Sequence, residues 1–171
     1  MSKDDLAARV AALEEAVARL TRQATPEPRT GPTGPDTFWA LEGLRDRLPP
    51  QAEAGAVLFT GTVDLPTGEH YEWQLGRPVD DLLGTDWSEH AGTLAALGHP
   101  VRLLLLRQVL LGCRTTAELA EQEGLGTTGQ LYHHLRQLVG AGWLRPSSRG
   151  HYTVPPERVV PLLTILTAAT R

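Results

Sequence analysis

Apolar positions along the chain fall into segments of different rhythm. Leu6, Val10, Leu13, Val17 and Leu20 are spaced 4, 3, 4 and 3 residues apart. That is the seam of a coiled-coil helix and predicts one amphipathic helix over residues 2–23, suited to self-association or to docking on its own domain. Thr25–Thr37 holds four prolines and two glycines, which bars regular structure and predicts a linker. Trp39, Leu41 and Leu44 predict a short helix over Phe38–Leu48, stopped by Pro49-Pro50. Apolar residues then alternate at Val57, Phe59 and Val63 and at Tyr71, Trp73 and Leu75. With Pro66-Thr67-Gly68-Glu69 between them, Ala56–Leu65 and His70–Leu75 read as a β-hairpin, which must lie on something to be stable.

From Asp86 onward the rhythm is helical. A helix from Asp86 or Ser88 to Leu97 would turn Trp87, Ala91, Leu94 and Ala95 to a core. Pro100 starts the next helix, through Leu111. Thr115 and Glu118 form a capping-box pattern for a helix to about Glu123. Gly124-Leu125-Gly126 makes a turn, and Thr127 or Thr128 caps a helix through about Val139. Trp143–Pro146 and His151–Val154 read as short strands, and Pro156–Thr170 as a final helix that is apolar around most of its circumference. The expected architecture is mainly α with small β, an α+β chain. Its parts are a coiled-coil helix (1–24), a linker (25–37), a helix-plus-hairpin accessory region (38–85) and a helical domain with a two-stranded wing (86–171).

The 171 residues include one cysteine, Cys113, which excludes an internal disulfide and a multi-cysteine zinc site. Cys113 reads as a small residue at a helix end, with a redox role as the alternative. No apolar run approaches a membrane span, and the first residues, Met-Ser-Lys-Asp-Asp, lack a signal-peptide stretch. These features lead us to expect a cytoplasmic protein. No nucleophile–base pair, glycine-rich phosphate loop or acid pair emerges, so neither an enzyme nor a cofactor is expected.

The formal net charge of −4 speaks against nucleic acid, but its distribution does not. Residues 1–85 carry 8 basic and 14 acidic side chains; residues 86–171 carry 8 basic and 6 acidic. No Asp or Glu occurs between Gly124 and Pro156, a stretch that contains Arg136, Arg145 and Arg149. A local field of this sign suits phosphates. Within that stretch Leu131, Leu135 and Leu138 form a buried stripe, which turns Gly129, Tyr132, His133, Arg136 and Gln137 outward. Gln130 and Gln137 suit base edges, and Arg136 suits guanine or phosphate. Arg145, Ser147, Ser148, Arg149 and His151 at the wing suit phosphate or minor-groove contact.

Three stretches, together with Ala141-Gly142-Trp143-Leu144, resemble the ArsR-type winged helix-turn-helix regulators. They are Ala96-Leu97-Gly98-His99-Pro100-Val101-Arg102-Leu103, Thr116-Ala117-Glu118-Leu119-Ala120 and Leu131-Tyr132-His133-His134-Leu135-Arg136-Gln137-Leu138. The resemblance covers about residues 86–170. It implies a bacterial dimeric transcriptional regulator, usually a repressor, located at the nucleoid. It places the recognition positions on Thr127, Thr128, Gln130, Tyr132, His133 and His134. It also implies that the domain's first and last helices pair across a dimer, the last through Val159, Leu162, Leu163 and Leu166. The family's metal-sensing members carry a Cys-x-Cys pair or Asp/His pairs on the helices concerned. This chain has neither, so no metal site is expected.

The expected partners are therefore double-stranded DNA and a second copy, with Leu6, Val10, Leu13, Val17 and Leu20 adding a contact that allows higher oligomers. Two other readings stay open: a non-specific chromosome-organising protein, and a protein-interaction scaffold whose winged helix does not bind DNA. Trp39, Phe59, Tyr71, Trp73 and Trp87 are read as a small core that fixes the hairpin. A pocket for an unknown small-molecule effector and a surface for a partner are the alternatives.

Overall fold

The computed structural model describes residues 14–15, 38–48, 52–148 and 150–170. The coiled-coil seam at Leu6, Val10, Leu13, Val17 and Leu20, the linker 25–37 and the wing residue Arg149 lie outside the described residues. Glu14 and Glu15 are helical and exposed. The chain divides into two compact units, Met1–Gly43 and Leu44–Arg171. Helix α1, Trp39–Arg45, straddles that division.

The second unit is α+β, with two antiparallel two-stranded sheets. Strands β1 (Ala56–Asp64) and β2 (His70–Pro78) pair in one unbroken register, from Ala56 opposite Pro78 to Asp64 opposite His70. Helix α2 (Val79–Gly84), a 3-10 turn (Trp87–His90), α3 (Ala91–Leu97) and α4 (Pro100–Leu110) follow. Then come α5 (Thr116–Ala120), α6 (Thr128–Gly140), the hairpin β3 (Arg145–Ser148) with β4 (His151–Thr153), and α7 (Pro156–Ala169). Among the described residues no helix is long and apolar enough to cross a membrane.

The core is a leucine cluster with one large aromatic. Leu105, Leu106 and Val109 of α4 meet Leu119, Leu125, Leu131, Leu135 and Leu138, and Val159 and Leu162 of α7 close it. Trp143 is 1% exposed. Its Nε1 donates to the Thr93 carbonyl at 2.9 Å, and the Arg158 guanidinium lies 5.0 Å from its ring centroid. This residue ties α3, the end of α6 and α7 together. Gly142, at φ +74°, lets the chain leave α6 and turn directly into it.

The first hairpin is held at two places. A β-carbon at Gly61 would lie 2.8 Å from Val160 Cγ1, so only glycine lets β1 approach α7 this closely. At the tip, Arg114 Nη2 donates to Glu69 Oε2. Thr67 Oγ1 donates to the same carboxylate at 2.6 Å. Arg114 holds the Glu69 carboxyl below its ordinary range, and the Thr67 hydrogen bond adds to this.

Three expectations need correction. The helix entering at Asp86 is split, because Asp86 caps a 3-10 turn through Ser88 N. A 3-10 turn has about three residues per turn against about 3.6 for an α-helix, which takes Trp87 out of phase with α3. Ala91, Leu94 and Ala95 are exposed as well, because α3 turns another stripe, Ala96 and Leu97, to the core. The helix after Thr115 stops at Ala120, since the chain must bend for Leu125 to reach the core. Finally, Phe59, Tyr71, Trp73 and Trp87, the four of the five aromatics that lie in the second unit, form no common core. Trp39, Trp73 and Trp87 are exposed and Phe59 and Tyr71 are half-buried, with Tyr71 packed against the leucine cluster.

Trp143→Ala is expected to lower the unfolding free energy by about 3–5 kcal/mol. Trp143→Phe, which removes the donor to Thr93, should cost about 1–3 kcal/mol. Urea titration of the full chain measures both. A loss under about 1 kcal/mol for the alanine variant would remove Trp143 from the centre of this account.

Candidate nucleic-acid interface

Helix α6 is fixed before its outer face is considered. Thr127 Oγ1 accepts from Gln130 N at 3.4 Å, and Gln130 Oε1 accepts from Thr127 N at 2.9 Å. This reciprocal capping box satisfies first-turn donors and sets where the helix begins. Thr115 and Glu118 do the same for α5, with the Glu118 carboxylate also accepting from Arg114 N at 2.9 Å. Between the two helices the chain turns through Gly124, Leu125 and Gly126, and the Leu125 side chain pins that turn into the core. Leu131, Leu135 and Leu138 then hold α6 along its length, as expected.

The opposite face is open. Thr127, Thr128, Gly129, Tyr132, His133, Arg136 and Gln137 are all exposed, with Tyr132 at 47%. Among the described residues no carboxylate pairs with Arg136. This face offers a guanidinium, an amide, hydroxyls, an imidazole and a phenol, on a helix whose free N-terminal amides add partial positive charge.

Two residues expected on this face are placed otherwise. Gln130 is exposed, but its carbonyl oxygen is committed to the capping box, which leaves only its NH₂ group for a partner. His134 turns inward, with its ring 4.6 Å from that of His99 and its Nδ1 buried without a hydrogen-bond partner among the described residues. Burial pushes its pKa below the ordinary 6.5, and nearby His99, His133 and Arg102 act the same way. His99 in turn caps α4, its Nδ1 accepting from Val101 N at 3.2 Å. His134 is thus a packing residue of the α4–α6 contact. The helical wheel gave the rough side of α6 but not the reach of His99.

The β3–β4 hairpin emerges just after Trp143. Arg145, Ser147, Ser148 and His151 are exposed. Arg145 Nη2 donates to Glu157 Oε1 at 2.8 Å, an ion pair that spacing alone did not indicate. β4 is braced from behind, as Tyr152 N donates to Arg114 O at 2.8 Å and Thr116 N donates to Gly150 O at 2.9 Å. The start of α5 and this hairpin are therefore one hydrogen-bonded unit.

The residues expected to pair across a dimer separate into two kinds. Val159 and Leu162 are buried in the chain's own core and have no surface to offer a second copy. Leu163 is half-buried, and Leu166 is 40% exposed. An apolar helix circumference does not indicate which stripe the monomer uses, and here the core takes Val159 and Leu162. Cys113 is half-buried against the core, as a small helix-end residue would be.

Compared with family models, curated proteins and solved structures, the chain matches none.

The His134 environment generates a prediction. A histidine whose folded pKa is depressed contributes stability that is complete above the unfolded value and is lost as pH falls below it. Stability should therefore drop on acidification from about pH 6.5, and His134→Gln should flatten that dependence. His70, exposed and with its pKa raised by its Asp64 and Glu72 neighbours, acts with the opposite sign. The informative quantity is thus the difference between variant and wild type, read by thermal unfolding from pH 5 to 8. Parallel curves would refute this role.

Proposed function

We propose that this chain is a sequence-reading, double-stranded-DNA-binding regulator of the winged helix-turn-helix kind, acting as a homodimeric repressor without a metal site. The observation that carries the reading is the outer face of α6. It is rigidly held, carries Tyr132, His133, Arg136 and Gln137, and lies in a stretch free of carboxylates. In this reading α6 enters the major groove, with Thr127, Thr128 and Gly129 near a phosphate and Gln137 and Arg136 at base edges. The β3–β4 hairpin, through Arg145, Ser147, Ser148, Arg149 and His151, flanks it on the backbone.

Exposed apolar residues favour a dimer. Trp87 on the 3-10 turn, Leu94 on α3 and Leu166 on α7 lie on or beside the helices that such regulators use for pairing. Two copies would set their recognition helices about 34 Å apart and read an inverted repeat. The cationic groups are few, so affinity would rest on fit as much as on charge. With about two or three phosphates neutralised per protomer, log K should fall with log salt at a slope of roughly −4 to −5.

Selection from randomised duplex DNA at near-physiological salt tests the reading. An inverted repeat should be enriched, and Arg136→Ala should weaken binding to it by about 5- to 100-fold, equivalent to about 1–3 kcal/mol. Salt-sensitive binding without an enriched motif would instead give a chromosome-organising protein. No binding would give a scaffold. Glu157→Gln supplies an independent check. It frees Arg145 from its pair and should tighten DNA binding by up to about fivefold, the range of an exposed ion pair. Weaker binding by that variant would remove Arg145 from the interface.

A further inference from the structure

A groove of about 420 Å³ runs between α4 and α7. Its walls are Leu103, Leu104, Leu106 and Leu110 from α4 and Leu162, Leu163 and Leu166 from α7, with one charged residue among them, Arg107. The volume lies within the roughly 300–1,000 Å³ of small-molecule sites. Arg107 stands on the α4 wall, one turn after Leu103 and one turn before Leu110. Its side chain is exposed, and among the described residues it pairs with no carboxylate. A solvated surface cation is ordinary. An arginine whose stem lines a wall of leucines and whose guanidinium faces solvent at the groove's edge is a different chemistry, because it suits an apolar body in the groove with one anionic head at the mouth.

We infer that this groove binds a hydrophobic monocarboxylate of medium chain length, the alkyl chain lying along the leucines and the carboxylate on Arg107. Nothing else in the lining is ionisable, so polyanions and cations have no partner there. The groove shares Leu166 with the surface proposed for pairing, but it leaves the outer face of α6 untouched, and its occupancy is read without DNA, so its failure and a failure of DNA binding are distinguishable.

The test is titration calorimetry of the full chain with octanoate, decanoate and dodecanoate below their micelle-forming concentrations, with decanol as the uncharged probe. Saturable one-to-one binding is expected, with affinity rising about fourfold per added methylene until the groove is full. Decanoate should bind at least tenfold more tightly than decanol, and Arg107→Gln should abolish that preference while leaving decanol binding in place. Leu110→Trp, which fills the trough, should abolish both, with melting temperature and circular dichroism verifying its fold. Equal binding of decanoate and decanol by wild type would overturn the assignment, as would an unchanged preference in Arg107→Gln. No saturable binding would overturn it too, and a chain then dimeric in light scattering would give the groove to a second copy.

Discussion

The burial of Trp143 is the constraint on which the described helical unit depends. The indole fills the junction where α3, the end of α6 and α7 converge, and its one polar atom finds the Thr93 carbonyl. A buried Trp without that acceptor would leave a donor unpaired in an apolar medium, at a cost comparable to the net worth of several ordinary hydrogen bonds. Arg158 covers the ring from α7, so a cation that would otherwise be a free surface charge is used for packing. Because Trp143 lies three residues past the end of α6 and two before β3, it fixes the exit of one and the start of the other. The spacing between the α6 face and the β3–β4 hairpin is thereby set by a core residue that touches neither surface.

The electrostatics of that surface come from omission more than from accumulated charge. An acidic chain has left one continuous stretch, Gly124–Pro156, without carboxylates, and α6 occupies the middle of it. The few arginines of this stretch are not equivalent. Arg136 stands free of carboxylates among the described residues, whereas Arg145 is tied to Glu157. Counting arginines in the sequence treats these two alike; the fold separates a ready contact from one that must first exchange partners.

What could be read from the sequence follows the range of the interactions. Capping is local: the box at Thr115 lies where residue spacing puts it, and the cap expected at Thr127 or Thr128 is Thr127. The Leu131–Leu135–Leu138 stripe and the alternation that marks the strands of the first hairpin are equally local. Long-range packing was not legible. The inward turn of His134 depends on His99, the burial of Val159 and Leu162 depends on the whole leucine cluster, and the Glu69–Arg114 pair spans 45 positions. A single 3-10 turn takes Trp87 out of the helical step. The exposure of Leu94 and Ala95 is again a matter of packing, since the core receives the neighbouring stripe, Ala96 and Leu97. On the candidate interface, the outer residues of α6 were legible because the leucine stripe defines their side. The engagement of Gln130 with Thr127 is a choice of side-chain conformation that residue spacing leaves open.

The hairpin tip has a consequence for anyone handling the protein. Tips of two-stranded hairpins are ordinarily the most forgiving places for insertion, being exposed and weakly tied to the body. Here Thr67 approaches Gly112, and Glu69 is held by Arg114, whose own backbone accepts from β4 and donates to the Glu118 carboxylate that caps α5. An epitope or a fluorescent domain grafted between Pro66 and Glu69 would pull on the brace behind the second hairpin. The Thr85 link between α2 and the 3-10 turn is the better graft point, since the Thr85 hydroxyl and Trp87 Nε1 both donate to the nearby Leu82 carbonyl, ties that stay local.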